Sequence, residues 1–223
     1  MTGTASRRSI HRMCSNFDNL RPDSPPPESR VREYAGLLLS GTAGPLASLR
    51  VWPRQTAWIL RHDETRADWR FECWRWSLVP FWSDTANPKM STFNARSETV
   101  DRKPAYRDAW RRGQRCLIAL TAWYESGRKL GRKGWVQIRP RAPAITFAGL
   151  WDKWTPRDGG AAHGSFTMLT TTAAPDLVKV HERMPVIIAE PWRDRWLDPA
   201  TPSEHAQRLL HPVQDDFTVQ PVS

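Results

Sequence analysis

The distribution of short β-like segments most constrains the fold of this chain. Runs rich in Trp, Phe, Val and Ile recur from about residue 49 and are separated by polar turns, a pattern typical of strands. They predict strands at 56–61, 71–79, 115–120, 134–139, 144–151, 166–172 and 185–188. Helical spacing and helix-start residues predict helices at 31–38, 104–112, 191–197 and 202–210. Because no regular βαβ alternation is present, the pattern predicts an α+β domain with a curved, partly closed sheet.

Charge and cysteine content narrow the class of protein. The 223 residues carry 33 Lys and Arg against 23 Asp and Glu, a formal charge of +10, which favours nucleic acid as a partner before a membrane. No window approaches the roughly 18 consecutive apolar residues of a membrane span. Three cysteines with no C-x-x-C pair argue against a disulfide framework and a cysteine-ligated zinc, and favour a reducing, cytoplasmic setting. With no glycine-rich phosphate loop either, no metal or cofactor is expected.

The first residues of the chain differ from the rest. The first twelve carry three Arg and no acidic residue, and they lack the apolar stretch of a secretory signal. We interpret residues 1–13 as a disordered leader or a mis-assigned start, followed by a single domain at 14–223.

Cys14, directly after Met13, is a candidate reactive group. Removal of Met13 would leave Cys14 with a free amine beside its thiol, and such an amine attacks an aldehyde to give an imine. The thiol can then close a five-membered thiazolidine ring. The alternative is an ordinary internal cysteine. Cys73 and Cys116 lie in predicted strands and are expected to be packing residues.

Two aromatic and polar runs are candidates for binding a nucleic acid. Asn94 and Arg96, in the run 93–99, are residue types that suit sugar and phosphate recognition. A turn with a surface salt bridge explains the same run. Phe81 and Trp82 could stack on bases, although most aromatic rings in a chain with 13 Trp pack in a core.

Two further clusters carry titratable side chains. Glu125 follows the apolar run 116–122, where a strand leaves the core and partial burial would raise its pKa. His181 lies two residues before Arg183 and precedes a β-like run, so an imidazole and a guanidinium would be close together. An ordinary strand-end Glu and a solvated His are the alternatives.

These clusters, in this order, resemble the SRAP family (SOS response-associated peptidases, the abasic-site processing proteins). The resemblance rests on Met13-Cys14, the run 93–99, Trp123-Tyr124-Glu125 and the run 181–185. It implies a β-barrel-like mixed sheet core flanked by short helices. It also implies a covalent thiazolidine crosslink between Cys14 and abasic sites in single-stranded DNA, in the response to DNA damage.

The resemblance assigns roles to individual residues. Cys14 would be the nucleophile, Asn94 would position its amine and the sugar, Glu125 would transfer protons, and His181 would hold the opened sugar oxygen. Matching positions imply DNA contacts for Arg96, Arg183, Phe81, Trp82, Lys103, Pro53 and Thr170. The implied partner is single-stranded DNA with abasic sites, bound by a monomer in the cytoplasm at the nucleoid.

The chain departs from the family pattern at two of these motifs. Ser15-Asn16 follow the cysteine where family members often have Gly-Arg, and Ser126 replaces the usual Trp after Glu125.

Two other functions stay open. One is a cysteine autopeptidase that removes its own leader before Cys14. The other is a non-catalytic module that binds single-stranded DNA.

Overall fold

The computed structural model describes residues 14–21, 48–63 and 68–222, together with Gly36 and Thr65. The leader 1–13 and, apart from Gly36, the helix predicted at 31–38 lie outside the described residues. Within them, eleven strands belong to one sheet. In chain order they are β1 (Asn16–Leu20), β2 (Ser48–Val51), β3 (Thr56–Asp63), β4 (Asp68–Trp76), β5 (Asn94–Arg96), β6 (Arg115–Ser126), β7 (Trp135–Arg139), β8 (Ile145–Trp154), β9 (His163–Thr172), β10 (Arg183–Pro185) and β11 (Thr218–Pro221).

The helices of the described residues are short. They are α1 (Arg107–Arg111), α2 (Arg193–Leu197) and α3 (Ser203–Gln207), with 3-10 turns at Ser97–Thr99, Gly127–Leu130 and Glu190–Trp192. The predicted helices at 104–112, 191–197 and 202–210 are therefore confirmed in position but are shorter than predicted. Helix ends fray into tighter turns when no capping side chain holds them.

Five of the strands close into a barrel. Strand β6 pairs antiparallel with β8 and with β3, β8 pairs with β9, and β3 pairs with β4. The ring closes where β4 and β9 run parallel, with Trp76 beside Phe166. The predicted α+β fold, with a barrel-like mixed sheet and flanking short helices, is confirmed.

Strand β6 is apolar on both faces because each face is covered by a different cluster of buried side chains. Cys116 and Ile118 point into the barrel core, which also contains Trp76 and Phe147. Leu117 and its neighbours pack instead in a second cluster that includes the helices. A strand covered on both faces loses the alternation of polar and apolar residues, which explains why the predicted strand appears as a continuous apolar run.

A strand is present at each of the seven predicted positions, but most of the ends are shifted. Strands β6 and β8 extend to Ser126 and Trp154 rather than 120 and 151, and β9 begins at His163 rather than 166. Strand β4 ends at Trp76 rather than 79, and β10 covers Arg183–Pro185 rather than 185–188. Sequence analysis missed β1, β2, β5 and β11, which have only three to five residues each. The packing role expected for Cys73 is wrong, because this residue is exposed on β4 whereas Cys116 is buried.

Strand β1 was missed because its sequence is polar. Its Asn19 side chain is only 2% exposed and replaces part of the backbone ladder. The amide nitrogen donates to the carbonyl oxygens of Trp58 and Ala119, and the amide oxygen accepts from the Trp58 N–H at 2.8 Å. One buried asparagine thus bridges β3 and β6, although Asn is generally depleted in strands.

Candidate active site around Cys14

Three of the predicted catalytic residues meet at the start of β1. The backbone nitrogen of Cys14 donates to Glu125 Oε1 at 2.9 Å, and Asn94 Nδ2 donates to the Cys14 carbonyl oxygen at 3.4 Å. The pairing of β1 with β6 explains the first contact. Asn16 lies opposite Tyr124 in an antiparallel register, so the chain two residues earlier runs alongside Glu125 and the end of β6.

The Cys14 thiol is held in its protonated form. Cys14 is fully buried, and burial raises the pKa of its thiol well above the ordinary value of 9.0, with the Glu125 carboxyl acting in the same direction. A thiolate is the reactive form of cysteine. The buried thiol is therefore a weak nucleophile at neutral pH. A reaction at this site is expected to begin with attack by a different group.

Glu125 is a buried carboxyl that titrates near neutral pH. The residue is 1% exposed, and burial raises its pKa from 4.5 to about 8, against the opposing effect of the hydrogen bond from the Cys14 N–H. Its second oxygen, Oε2, is buried with no hydrogen-bond partner among the described residues. The predicted rise in pKa is confirmed, but the burial is complete rather than partial. A carboxyl of this kind can both accept and donate a proton at pH 7.

Strand β5 carries Asn94 to this site. It pairs parallel with β9, placing Asn94 beside Met168, and the Tyr106 hydroxyl donates to the Asn94 carbonyl oxygen at 3.2 Å. Burial raises the pKa of Tyr106 to about 12, so its hydroxyl stays a hydrogen-bond donor. Sequence analysis missed Tyr106, which lies in a turn ahead of α1.

The second and fourth motifs form a neighbouring group. Arg183 donates two hydrogen bonds to the Glu98 carboxylate, at 3.0 and 2.9 Å, and a third to the Thr170 carbonyl oxygen at 2.7 Å. Thr170 also donates from its hydroxyl to the Ala95 carbonyl oxygen. The backbone N–H of Arg183 donates to the His181 ring nitrogen Nδ1 at 3.1 Å. His181 therefore belongs to the group around Arg183, and its role toward Cys14 stays a prediction.

The turn and the salt bridge that were the alternative explanation of the run 93–99 are both present. Residues Ser97–Thr99 form a turn, and Glu98 makes a salt bridge with Arg183. Arg183 is largely used in this bridge, with its side chain 14% exposed. Arg96, the last residue of β5, is exposed opposite Thr170. Arg96 is therefore more accessible than Arg183, the other arginine predicted to contact DNA.

A cleft of about 510 Å³ lies beside Cys14. Pro53 and Ser15 both line it, so Pro53 lies near the start of β1, and its contact with DNA stays a prediction. Trp52 makes an edge-to-face contact with Trp135, with ring centroids 5.7 Å apart. Sequence analysis missed the contribution of most lining residues, although their proximity to Pro53 was a usable signal. The lining consists of Ser15, Trp52, Pro53, Arg54, Ser77, Lys89, Met90, Ser91, Phe93 and Trp135.

Phe81 and Trp82 are exposed rather than packed in the core. Their exposed fractions are 47% and 42%. The Phe81 N–H donates to Asp152 Oδ2 at 3.0 Å, and the Arg112 guanidinium lies 4.8 Å from the centre of the Phe81 ring. Arg112 also donates to Asp152 Oδ1 at 3.1 Å. A salt bridge thus fixes the segment that presents the two rings to solvent.

The remaining predicted contacts lie at the edges of this region. Lys103 is exposed in the turn before α1, where its N–H donates to the Thr99 carbonyl oxygen at 3.0 Å. Asn16, at one of the positions where the sequence departs from the pattern it resembles, is 1% exposed with both side-chain amide atoms lacking a hydrogen-bond partner among the described residues. Asn16 thus faces the protein interior and contributes no charge to a DNA surface.

The described residues contain neither a cluster of metal-binding side chains nor a membrane-spanning helix. No group of three or more His, Cys, Asp or Glu side chains in this part of the chain could hold a metal ion. None of the helices seen there has the length and apolar character needed to cross a membrane.

Comparison with protein families and curated proteins gives one consistent result. The model of the SOS response associated peptidase family, SRAP, matches residues 20–223. The abasic site processing protein HMCES of Xenopus tropicalis is 31% identical over 172 residues, which cover 67% of this chain and 51% of that protein. The abasic site processing protein YoaM of Bacillus subtilis is 33% identical over 154 residues, covering 67% of this chain and 66% of that protein. This chain thus spans about half the length of the Xenopus protein.

Solved structures share the same fold. A crystal structure of a protein from Bordetella bronchiseptica superposes with a TM-score of 0.74 at 26% identity, covering 94% of this chain and 100% of that chain. A protein from Bacteroides thetaiotaomicron superposes with a TM-score of 0.69 at 21% identity, covering 91% and 90%. At 21% identity, the second likeness concerns the fold alone.

Proposed function

We propose that this chain, which belongs to the SOS response associated peptidase family, processes abasic sites in DNA by forming a covalent bond between Cys14 and the lesion. Its relatives are named abasic site processing proteins. The single observation that carries the proposal is the 2.9 Å contact between the Cys14 nitrogen and Glu125 Oε1 inside a buried site. It pairs a candidate nucleophile with a carboxyl whose pKa is about 8.

The reaction needs a free α-amine on Cys14. With residue 13 attached, the nitrogen is an amide and cannot form an imine. We propose that the active domain is 14–223, produced when translation starts at Met13 or when the leader is cleaved. The φ of Cys14 is +38°, a left-handed conformation that costs about 1–3 kcal/mol for an L residue. Because φ is defined only while residue 13 is attached, cleavage would release this strain.

The amine attacks before the thiol. An α-amine has a pKa of about 7.7–8.0, close to that of Glu125, so the carboxylate can take the ammonium proton. The neutral amine adds to the carbon of the opened sugar aldehyde, and one amine proton passes to the aldehyde oxygen to form a hydroxyl. Glu125 protonates this hydroxyl, which leaves as water, and the nitrogen of the protonated imine returns a proton to the Glu125 carboxylate. The thiol sulfur then bonds to the imine carbon while its proton moves to the nitrogen, giving the thiazolidine. The raised pKa of the thiol supports this order.

Neighbouring residues would hold the strand during these steps. Asn94, already bonded to the Cys14 carbonyl oxygen, would orient the nucleophile, and His181 would hold the opened sugar oxygen. Arg96 would bind a backbone phosphate, while Phe81 and Trp82 would stack on bases. The substrate would be single-stranded, because a splayed strand exposes the opened sugar more easily than a stacked duplex.

Self-cleavage of the leader is a second candidate activity. The Cys14 thiol would attack the carbonyl carbon of residue 13 and give its proton to the Glu125 carboxylate, which would pass a proton to the departing Cys14 nitrogen as the C–N bond breaks. Water would then hydrolyse the resulting thioester. The contact of the Cys14 N–H with Glu125 favours this proton transfer, whereas the raised pKa of the thiol slows the attack. This candidate predicts cleavage between residues 13 and 14 in purified protein.

The test uses single-stranded DNA with one abasic site. Protein expressed from Met13, with its N-terminus checked by intact mass, is expected to give a heat-stable adduct that is lost in Cys14→Ala. The matched control is the chain that still carries residues 1–13, which has the same side chains but an amide at Cys14. An adduct formed by protein that retains Met1 would contradict the mechanism. Equal binding of damaged and undamaged strands with no adduct would favour the non-catalytic alternative.

A further inference from the structure

A second cavity, of about 390 Å³, shares no lining residue with the cleft beside Cys14. Its volume is within the range typical of small-molecule and nucleotide sites. Cys73 and Arg75 of β4 line it together with Trp74, and Trp154 and His163 contribute from β8 and β9. None of the roles proposed above uses this cavity.

Aromatic rings form its walls. The indole of Trp154 stacks on the imidazole of His163, with centroids 6.0 Å apart and planes 23° from parallel. The indole is held in place by a hydrogen bond from its Nε1 to the Ser83 carbonyl oxygen at 2.6 Å. On the other side, Trp74 lies directly over Gly164, where an added Cβ would be 2.2 Å from the indole ring. His163 is exposed, so its ring offers an accessible surface for stacking.

Two arginines, Arg54 and Arg75, form a positively charged strip that joins this cavity to the first cleft. Arg54 lines the cleft, Arg75 lines the second cavity, and the Arg54 N–H donates to the Trp76 carbonyl oxygen at 2.7 Å. The Arg75 guanidinium donates to the Ala86 carbonyl oxygen at 2.6 Å and to Asn87 Oδ1 at 2.8 Å. These bonds anchor the segment that carries Lys89 to the rim of the cleft.

The charges of this strip are not balanced by acidic groups. Among the described residues that line the two cavities, there is no Asp or Glu. Burial, and then the charge of Arg54, lower the pKa of Arg75, so the two guanidinium groups repel each other. A phosphate between them would relieve this repulsion.

We propose that the second cavity binds a base of the same DNA strand whose lesion lies at Cys14, with the strand crossing over Arg54 and Arg75. The inference rests on the proposed function, because it extends the strand that the first cleft would hold. Stacking on aromatic side chains, combined with a basic path for the backbone, is how proteins bind single strands with little sequence preference. The subsite would therefore make the protein bind longer strands more tightly, whatever their sequence.

Cys73 provides a direct measure of occupancy. It lines the cavity and is exposed, whereas Cys14 and Cys116 are buried. The full chain would be mixed with a single strand of about 16 nucleotides that carries a central tetrahydrofuran, an abasic analogue without an aldehyde. Maleimide labelling of Cys73 would be followed by peptide mass spectrometry. We expect the strand to slow labelling of Cys73, and strands shortened to the lesion on one side to lose this protection.

Affinity measurements on a variant test the same subsite independently. His163→Ala is expected to weaken binding of the long strand about five-fold or more and to leave binding of the shortened, non-protecting strand unchanged. His211→Ala, which removes another exposed imidazole, is the matched control and should change neither. Unaltered labelling of Cys73 at a saturating strand concentration, or an equal effect of His163→Ala on long and short strands, would overturn the subsite.

Failure of the subsite and failure of the proposed function give different results. Crosslinking of an abasic strand without protection of Cys73 would reject the subsite alone. Protection of Cys73 without crosslinking, in protein with a free Cys14 amine, would keep the subsite and reject the covalent reaction. No binding of any single strand would reject both.

Discussion

Replacing Glu125 by Gln is expected to stabilise the protein at neutral pH and to slow crosslinking. The unfolded chain releases the Glu125 proton near pH 4.5, whereas in the folded protein burial raises the pKa to about 8. Folding therefore takes up a proton between these pH values. The free energy of unfolding must fall as the pH rises from 4.5 to 8, since the unfolded state binds fewer protons.

The size of this effect follows from the same two pKa values. At pH 7, about 2.5 units above the ordinary value, the penalty is about 3 kcal/mol, at about 1.4 kcal/mol per unit. Gln has nearly the same shape, keeps an oxygen that can accept the Cys14 N–H, and never ionises. The free energy of unfolding of the variant, minus that of the wild type, should therefore increase by about 3 kcal/mol between pH 4.5 and 7. For a domain of this size, this corresponds to about 6–12 °C in Tm.

Urea unfolding at pH 4.5, 6, 7 and 8 measures the difference, with chains that retain the bond between residues 13 and 14. Glu204→Gln, at an exposed carboxyl in α3, is the control and should show no such increase. In protein with a free Cys14 amine, Glu125→Gln should slow adduct formation about 10²–10⁴-fold, the usual contribution of general acid–base catalysis. A stability difference that stays constant across this pH range would refute the reasoning about Glu125.

Three further predictions concern the reaction and the DNA contacts. Cys14→Ser keeps the amine and loses the thiol, so borohydride should still trap an imine while the heat-stable adduct disappears; loss of both products would contradict attack by the amine first. Arg96→Ala should lower the slope of log affinity against log salt by about 0.7 for single strands without changing the unfolding midpoint. Arg183→Ala should lower both the slope and the unfolding midpoint. An unfolding midpoint of Arg183→Ala equal to that of the wild type would show that the bonds of Arg183 to Glu98 and Thr170 add no stability. Arg112→Ala should weaken strand binding in a fluorescence titration because it frees the Phe81 ring, and unchanged affinity would show that Phe81 needs no such support.

The sequence predicted the longer strands because their signals are local. The segments that became β3, β6, β8 and β9 are rich in apolar and β-branched residues and need no distant partner to be recognised. Strands β1 and β5 gave no such signal. Their pairing depends on contacts such as the one between Asn19 and the backbone of Trp58, which lies 39 residues further along the chain.

The candidate site was predicted as four separate motifs, and only folding brought some of them together. The residue types and the order of Cys14, Asn94, Glu125 and His181 along the chain are properties of the sequence, and they were sufficient to suggest a family. The contact between Cys14 and Glu125 joins positions 111 residues apart. It depends on the register of β1 against β6, which local patterning does not encode.

What the sequence determined by itself was the inventory of reactive groups and the strand-rich character of the chain, because both follow from residue type and local spacing. Tertiary structure decided how these groups behave. Complete burial raises the pKa of Glu125 to about 8 and keeps the Cys14 thiol protonated, whereas exposure leaves Phe81, Arg96 and Cys73 accessible. Burial and proximity arise from strands that pair across the whole chain, and they convert an ordinary carboxyl into one that can exchange a proton at neutral pH.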